Sequence, residues 1–412
     1  MNRIAAEVLI VGGGAAGLAA AVAASERAKV VLVDDNPNLG GQIWRAEMGK
    51  IKSPDAKKLI DAVSSGSISV INNAQVFAAV GDNVLHAERP DGTLEFEFDK
   101  LILATGARER FLPFPGWTLP NVFGAGGLQA LVKGGLPVSG KRIVVAGTGP
   151  LLLVVAEYLK TKGATVVAIA EQSPARKISK FALGLWRSPS KITQAIALRT
   201  RLAGVRYITD CWVESVSGDG RVDQVMLRRK GRLSHIECDI LACGFHLVAN
   251  LELPAILGCK IENGAVTVNE LQQTSIRDIF CAGEPTGIAG VESSLIEGKI
   301  AGLAATGTTN TAYSLVKQRD KANRFGIPLN HTFALRDELK TLANTETIVC
   351  RCEDVAFGQL AKFENFRDAK LQTRCGMGPC QGRICGAATE FLFGWDRPNV
   401  RPPIFPVKME NL

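Results

Sequence analysis

Apolar runs alternate with glycine-rich turns and helical stretches along most of the chain. Near its start, the apolar run Glu7–Val11 predicts a buried strand, and the alanine-rich segment Leu18–Ser25 predicts a helix. A second apolar run, Lys29–Val33, ends at the acidic residue Asp34. Strands that alternate with helices in this way indicate an α/β fold built on a parallel sheet.

The same order of elements returns in the middle of the chain. Lys141–Ala146 predicts a strand, Leu151–Leu159 predicts a helix, and Val166–Ala170 predicts a second strand that ends at Glu171. The sequence therefore predicts two Rossmann-like domains.

The remaining patterns indicate where the domains begin and end. Apolar runs separated by short polar turns predict one antiparallel meander over Val76–Val80, Val84–Glu88 and Thr93–Phe98, and a second over Val205–Ile240. Single strands are predicted at Lys100–Leu103 and Asp278–Cys281. The proline-rich segment Pro113–Pro120 is predicted to cross between domains. We expect a discontinuous first domain over 1–115 and 272–325, a second domain over 116–271, a linker over 326–345, and a small C-terminal domain with a tail over 346–412.

Glycines occupy the turn between the first strand and the first helix, which reads Gly12-Gly13-Gly14-Ala15-Ala16-Gly17. Gly12 permits the tight turn, Gly14 lets the backbone approach a pyrophosphate, and Gly17 allows the helix to pack closely on the strand. Asp34 follows Gly12 by 22 positions and is placed to accept a hydrogen bond from a ribose hydroxyl. This pattern predicts a dinucleotide site.

The second turn, Gly147-Thr148-Gly149, departs from this fingerprint because Leu152 stands at the third glycine position. A leucine there is expected to push the helix from the strand or to narrow the path to the phosphates. Two interpretations remain open, a nicotinamide dinucleotide site and a scaffold that binds no dinucleotide. In the first case Glu171 favours NAD over NADP.

Composition narrows the class of protein. Hydrophobic residues make up 46% of the 412 residues and charged residues 21%, which excludes disordered, collagen-like and coiled-coil chains. A net charge of +8 is too mild and too dispersed to indicate a nucleic-acid-binding protein. The uncharged stretch Val8–Ala24 resembles a leader, but its glycines favour the nucleotide turn, and no run of about 20 apolar residues predicts a transmembrane helix.

The ten cysteines are unevenly placed, with none in the first 210 residues and five between Cys350 and Cys385. This clustering favours metal binding in a reducing compartment, by default the cytoplasm, over a disulfide framework. Nearby glycines and the C-x-C pair favour an iron–sulfur cluster over zinc or unliganded thiols. The other cysteines are expected to be small core residues, at positions 211, 238, 243, 259 and 281.

With these turns, the chain resembles the flavoproteins that carry two dinucleotide-binding domains. The resemblance implies that the first fingerprint binds FAD and that Ala104-Thr105-Gly106 marks the crossing to the second domain. It implies further that Gly283 and Glu284 meet the flavin, with glutamate replacing the usual aspartate. It also places Gly41 and Gln42 near the flavin and Val76 against adenine. The chain has no C-x-x-C pair, which excludes thioredoxin reductase chemistry.

The C-terminal cysteine pattern resembles the BFD-type 2Fe-2S domain found in the A subunits of opine dehydrogenases, D-hydroxyproline dehydrogenases, hydrogen cyanide synthase and relatives. The resemblance extends over nearly the whole chain. It implies that the ligands are Cys350, Cys352, Cys380 and Cys385, with Cys375 as a neighbour. It further implies an electron-transfer subunit that works with a one-electron acceptor and with a catalytic, D-amino-acid-oxidase-like flavoprotein, the B subunit.

Two rival functions remain open at the level of sequence. One is a self-contained NAD(P)H-dependent ferredoxin or acceptor reductase, and the other is a non-enzymatic redox-sensing or cluster-carrying protein. No set of side chains in the sequence identifies a catalytic base, so the catalytic residues stay unknown. The four histidines are expected to be structural, at positions 86, 235, 246 and 331.

Overall fold

The computed structural model describes residues 2–65, 68–184, 189–396 and 400–411. The chain forms two units, each assembled from separate stretches of sequence. The first unit comprises Met1–Arg108, Leu247–Gly326 and Asn399–Leu412, and the second comprises Glu109–His246 and Ile327–Pro398. Across the described part of the chain, the helices are too short or too polar to cross a lipid bilayer.

This division differs from the expected boundaries. The chain crosses between units at Arg108 and Glu109, whereas Pro113–Pro120 lies within the second unit because Phe114 and Trp117 are buried in its core. Residues 247–271 belong to the first unit. The C-terminal tail does so as well, since Ile404 is buried and its amide donates to the Phe77 carbonyl at 2.8 Å.

The first unit contains an α/β sheet with an antiparallel extension. Its elements up to the first crossing are β1 Asn2–Val11, α1 Ala15–Ser25, β2 Val30–Val33, α2 Pro54–Ser65, β3 Ser69–Ile71, β4 Gln75–Ala79, β5 Val84–Arg89, β6 Gly92–Leu103 and β7 Ala107–Glu109. The sheet order is β3-β2-β1-β6-β5-β4. Strand β6 unites two segments that the sequence predicts separately, and both halves pair in parallel with β1.

The second unit begins with a five-stranded parallel sheet of order β11-β10-β9-β15-β8 and a separate antiparallel meander of β12, β13 and β14. Its elements are β8 Val122–Gly124, α3 Ala125–Lys133, β9 Arg142–Thr148, α4 Leu151–Thr161, β10 Thr165–Glu171, α5 Ala175–Gly184, α6 Pro189–Arg201, β11 Arg206–Thr209, β12 Cys211–Ser217, β13 Gln224–Arg229, β14 Arg232–Glu237 and β15 Ile240–Phe245.

The chain then returns to the first unit and completes its sheet. The elements are β16 Leu247–Ala249, α7 Glu252–Ile256, β17 Ile261–Glu262, β18 Ala265–Val266, β19 Ile279–Cys281, α8 Val291–Ala305 and α9 Thr309–Thr332. The residues of α9 after Gly326 already belong to the second unit. Strand β19 pairs in parallel with the end of β6, so its carboxyl end lies beside that of the first βαβ unit. Helix α9 extends through Thr332, where the sequence predicts a linker from residue 326.

Helix α8 approaches α1 more closely than side chains normally allow. A Cβ on Gly298 would lie 2.1 Å from the Ala16 carbonyl oxygen, and one on Gly302 would lie 2.4 Å from that of Ala20. The alanine-rich sequence of α1 therefore serves this close helix pairing as well as the packing on the sheet.

The C-terminal cysteines lie in a small set of short elements within the second unit. These are β20 Ile348–Cys350, β21 Val355–Ala356, α10 Phe357–Leu360, α11 Phe366–Thr373 and α12 Cys385–Phe393. Their core contains Phe366 and Trp395. The Trp117 indole N–H donates to the Ile348 carbonyl at 2.6 Å, which ties the first of these strands to the proline-rich segment.

Candidate functional site

The first glycine turn has the backbone geometry of a dinucleotide-binding turn. Gly12 has a φ of 108°, and a Cβ there would lie 2.2 Å from the Ala104 carbonyl oxygen. A Cβ on Gly17 would lie 1.8 Å from the Gly12 carbonyl oxygen. Both positions therefore require glycine, because strand, turn and helix meet there without space for a side chain.

Asp34 is buried beside this turn. Its Oδ2 accepts a hydrogen bond from the Gly13 amide at 2.5 Å, and its Oδ1 accepts one from the Asn36 amide at 2.7 Å. The Ala74 amide donates to the Asp34 carbonyl at 3.0 Å, which brings the segment leading to Val76 to the same edge of the sheet. Val76 itself is buried in the core below this edge.

The outer side of the turn leaves space for a ligand. The Gly40 amide donates to the Gly13 carbonyl at 2.8 Å, which places the Gly41 backbone opposite Gly14. A Cβ on Gly14 would meet no described atom closer than the Gly41 Cα at 3.9 Å. Gln42 is exposed and accepts a hydrogen bond from Arg45 at 3.0 Å. The turn thus forms an open cradle that a pyrophosphate would fit.

The Ala104-Thr105-Gly106 segment is held by a residue that the sequence analysis missed, Asn250. Its side-chain amide donates to the Thr105 carbonyl at 2.8 Å, and the Thr105 hydroxyl donates to the Asn250 carbonyl at 2.9 Å. The Asn250 amide also donates to the Gly106 carbonyl at 3.0 Å. No local motif surrounds Asn250, so only the fold reveals this contact.

Gly283 and Glu284 lie at the same edge, directly after β19. A Cβ on Gly283 would lie 2.9 Å from the Ala16 Cβ, so the turn after β19 contacts the start of α1. Glu284 Oε2 is buried and has no hydrogen-bond partner among the described residues. A buried acceptor without a partner among the described residues fits the flavin contact that the resemblance implies for Glu284.

Burial raises the pKa of Glu284 to about 7, although the Gly290 amide acts in the opposite direction. The nearby charge of Glu297 raises this pKa further. Glu297 is a second residue that the sequence analysis missed. Its Oε2 accepts from the Gly283 amide and the Thr286 hydroxyl, each at 2.9 Å.

The second turn is also formed, and helix α4 begins two residues after Gly149. The Leu152 side chain is fully buried, and its Cδ2 would lie 3.2 Å from a Cβ on Gly244. Because Gly244 on β15 has no side chain, the Leu152 side chain fits between helix α4 and this strand. Glu171 is fully buried, and its Oε2 accepts from the Gly149 amide at 2.7 Å.

The C-terminal cysteines form one contiguous group. The sulfur atoms of Cys350, Cys375 and Cys385 all lie within 4.8 Å of one another. Cys380 lies within hydrogen-bond reach of Cys385 and of Cys352. The structure therefore brings together the four predicted ligands and also includes Cys375 in the tightest part of the group.

Hydrogen bonds stabilise thiolates within this group. Those from Cys375 and Cys385 lower the pKa of Cys350 to about 2, and the amides of Gly376 and Glu353 act in the same direction, whereas burial opposes them. A hydrogen bond from Cys385 likewise lowers the pKa of Cys380 to about 5. Because Cys375 and Cys385 donate these hydrogen bonds to Cys350, their own pKa values are raised. Thiolates that accept backbone N–H groups, as Cys350 does, are ligands that iron–sulfur clusters and soft metal ions use.

Glycine and aromatic residues shape the surroundings of the thiols. A Cβ on Gly378 would lie 2.3 Å from the Cys352 Cβ, so the loop between the cysteines closes only with glycine there. A cavity of about 340 Å³ adjoins the cysteines and is lined by Phe111, Trp117 and Arg351 as well.

An open Rossmann turn that meets a second strand end, followed by a second Rossmann unit, defines a flavoprotein oxidoreductase with two dinucleotide-binding domains. The model of the pyridine nucleotide-disulphide oxidoreductase family matches residues 6–302, and the chain belongs to that family. Membership in this family implies FAD as a cofactor.

The relatives include components of larger enzymes. The chain is 29% identical to the HcnB subunit of hydrogen cyanide synthase from Pseudomonas aeruginosa, with 97% of this chain and 96% of the relative covered. It is 30% identical to the A-type subunit of opine oxidase from Rhizobium meliloti, with 98% and 87% covered. The fold is similar to L-proline dehydrogenase from P. horikoshii, with a TM-score of 0.74, 20% identity, and 100% of this chain and 80% of that chain covered.

We expect Gly14→Ala to leave the protein folded but to weaken FAD binding by about tenfold or more, because the methyl group enters the cradle. Titration of flavin-free protein with FAD, followed by flavin fluorescence, measures the change. Gly184→Ala is the matched control, since a Cβ there meets no atom of the described residues within 4 Å. An unchanged FAD affinity in Gly14→Ala would show that the turn does not contact the cofactor.

The raised pKa of Glu284 predicts that the stability of the protein depends on pH. This pKa rises from 4.5 to about 7 on folding, so the folded state binds more protons than the unfolded state between these values. We therefore expect the free energy of unfolding of flavin-free protein to fall as pH rises through this window, by up to about 3 kcal/mol. Urea titrations at several pH values should show that Glu284→Gln lacks this part of the decline. Parallel pH profiles for the two proteins would contradict the prediction.

Proposed function

We propose that this chain is the flavin and iron–sulfur electron-transfer subunit of a heteromeric dehydrogenase of the amino-acid or opine type. The observation that carries the proposal is the group of five cysteines, which lies in the same chain as an FAD-binding fold. FAD exchanges electrons in pairs when bound, and a 2Fe-2S cluster passes them singly. A chain with both sites suits a relay from an organic substrate to a one-electron acceptor.

The relatives support a subunit role. Those from hydrogen cyanide synthase and opine oxidase are both named as subunits, and the chain matches each over nearly its whole length. The alpha subunit of sarcosine oxidase from Corynebacterium is a further relative, 26% identical over 73% of this chain and 32% of its own length. We infer that substrate oxidation occurs on a separate B subunit that resembles D-amino-acid oxidase. Free thiols persist in a reducing compartment, so we infer that the protein resides in the cytoplasm.

Each part of the chain has a defined task in this proposal. The first glycine turn holds the FAD pyrophosphate, Asp34 holds the ribose, and Glu284 accepts a hydrogen bond from the flavin chain. Gly41, Gln42 and Val76 complete the site. For the 2Fe-2S cluster we propose Cys350, Cys352, Cys380 and Cys385 as ligands, with Cys375 as a buried neighbour.

A second candidate function is an NAD(P)H-dependent reductase of a ferredoxin or another acceptor. The observation in its favour is the retained second turn, in which Gly147 and Gly149 both have positive φ values and Glu171 stands at the acidic position. This candidate requires that a nicotinamide dinucleotide bind at the second turn. The two functions therefore differ in where electrons enter the chain.

We expect Cys375→Ala to retain iron, whereas Cys352→Ser and Cys380→Ser should each lose at least about half of it, because a 2Fe-2S cluster needs four thiolates. Iron and acid-labile sulfide per protein, measured after anaerobic purification, give the result. Cys259→Ala serves as a control, since this buried cysteine lies in the core of the first unit. Loss of half or more of the iron in Cys375→Ala would make Cys375 a ligand.

The site of electron entry can be tested by visible spectroscopy under anaerobic conditions. We expect NADH to leave the flavin and iron–sulfur absorbance of the isolated chain unchanged, because electrons enter through the partner. The complex with a co-expressed B subunit should be bleached by an amino-acid or opine substrate. Rapid bleaching of the isolated chain by NADH would establish the reductase function instead.

A further inference from the structure

The second glycine turn is covered by the chain's own backbone. The segment Thr332–Arg336, here named the strap, follows helix α9 and precedes the cysteine-bearing elements in the second unit. Phe333, at its centre, is only 4% exposed. Its ring lies over the turn, with Cγ 4.0 Å from the position of a Cβ on Gly149.

The Phe333 carbonyl is the main point of attachment. It lies 3.0 Å from the Thr148 hydroxyl in the turn and 2.5 Å from His246 Nε2. A carbonyl oxygen only accepts, so His246 donates from Nε2. Burial lowers the pKa of His246, which keeps the ring neutral. Thr148 and His246 thus both direct a polar group at one backbone oxygen of the strap.

Gln172 and Ser173, directly after the acidic residue of the second unit, together bind the strap on both sides of Phe333. Gln172 binds the part after Phe333. Its Nε2 donates to the Ala334 carbonyl at 3.0 Å, and its Oε1 accepts from the Arg336 amide at 3.2 Å. The adjacent Ser173 hydroxyl donates to the Thr332 carbonyl at 3.0 Å. Gln172 and Ser173 are both buried, so these hydrogen bonds are shielded from water.

Arg336 secures the end of the strap. Its guanidinium forms an ion pair with Asp210 and lies over the Trp212 ring, 4.7 Å from the ring centre. Phe181 from α5 contacts the Phe333 ring edge-on, with ring centres 5.7 Å apart. The strap is therefore held by charge, by hydrogen bonds and by aromatic contacts over its whole length.

The corresponding place in the first unit is open. Gly14 and Gly149 are equivalent positions of the two turns, and each is where a pyrophosphate approaches the backbone. Opposite Gly14 the chain places Gly41, which has no side chain, whereas opposite Gly149 it places the Phe333 ring. A dinucleotide and the strap would occupy the same space at the second turn.

We propose that the second Rossmann turn is an intramolecular clamp for the strap and does not bind a nucleotide. The side chains that normally surround a dinucleotide there now fix the segment that leads into the cysteine-bearing elements. The clamp thereby sets where the cysteine cluster begins relative to the second Rossmann domain, within one unit. This assignment goes beyond the proposed function, because it holds whether or not a partner protein exists.

Hydrogen exchange with mass spectrometry on the purified full-length protein tests the clamp. We expect the peptide covering residues 330–340 to be protected in the wild type, and millimolar NADH to leave its exchange unchanged. Phe333→Ala should exchange in this peptide about tenfold faster or more, since the aromatic contact is lost. Leu371→Ala, on an exposed position of α11, is the control and should match the wild type.

A second variant, Gln172→Leu, removes the hydrogen bonds that the Gln172 side chain makes with the strap and replaces it with an apolar side chain of similar size. Gln172→Leu should also accelerate hydrogen exchange in the peptide covering residues 330–340. An unchanged flavin spectrum of the variant would show that its first unit remains folded. Unprotected amides in the wild type would overturn the proposal. So would wild-type exchange rates in both variants, or a change of exchange in the peptide when NADH is added.

Discussion

The first unit depends on how closely helix α1 approaches its neighbours. Gly12 and Gly17 let the helix start directly against the ends of β1 and β6, and Gly298 and Gly302 let α8 pack onto its other side. This contact fixes the direction of the α1 N-terminus and brings Gly283 to the same point. The cofactor cradle is thus a consequence of backbone packing, and a single methyl group at any of these positions would separate the elements that form it.

Buried or half-buried carboxylates bind the backbone of the turns in both units in the same way. Asp34 accepts from the Gly13 amide, Glu171 from Gly149, Glu297 from Gly283, and Glu109 from Gly126 at the start of α3. Each carboxylate satisfies backbone N–H groups that would otherwise be unpaired at a strand end or helix start. The same local arrangement therefore occurs in an open cradle in the first unit and in a turn covered by the strap in the second.

The cysteine group and the strap belong to the same unit as the second Rossmann domain. The strap fixes the chain before Ile348, and the Trp117 indole fixes Ile348 itself. Cys350 follows two residues later, so the start of the thiol group is held by two independent anchors. If the second turn binds no dinucleotide, as we propose, its domain acts as a support for the cysteine group.

The sequence by itself determined the two Rossmann-like units, the first glycine turn with Asp34, and the clustering of the cysteines, because these are encoded by local spacing. It did not reveal Asn250, Glu297 or the strap, which contact their partners only across long stretches of chain. It also did not reveal that Gly244, on a distant strand, lies against Leu152. Local periodicity specifies elements, whereas the fit of one backbone against another is decided only when the sheet and helices assemble.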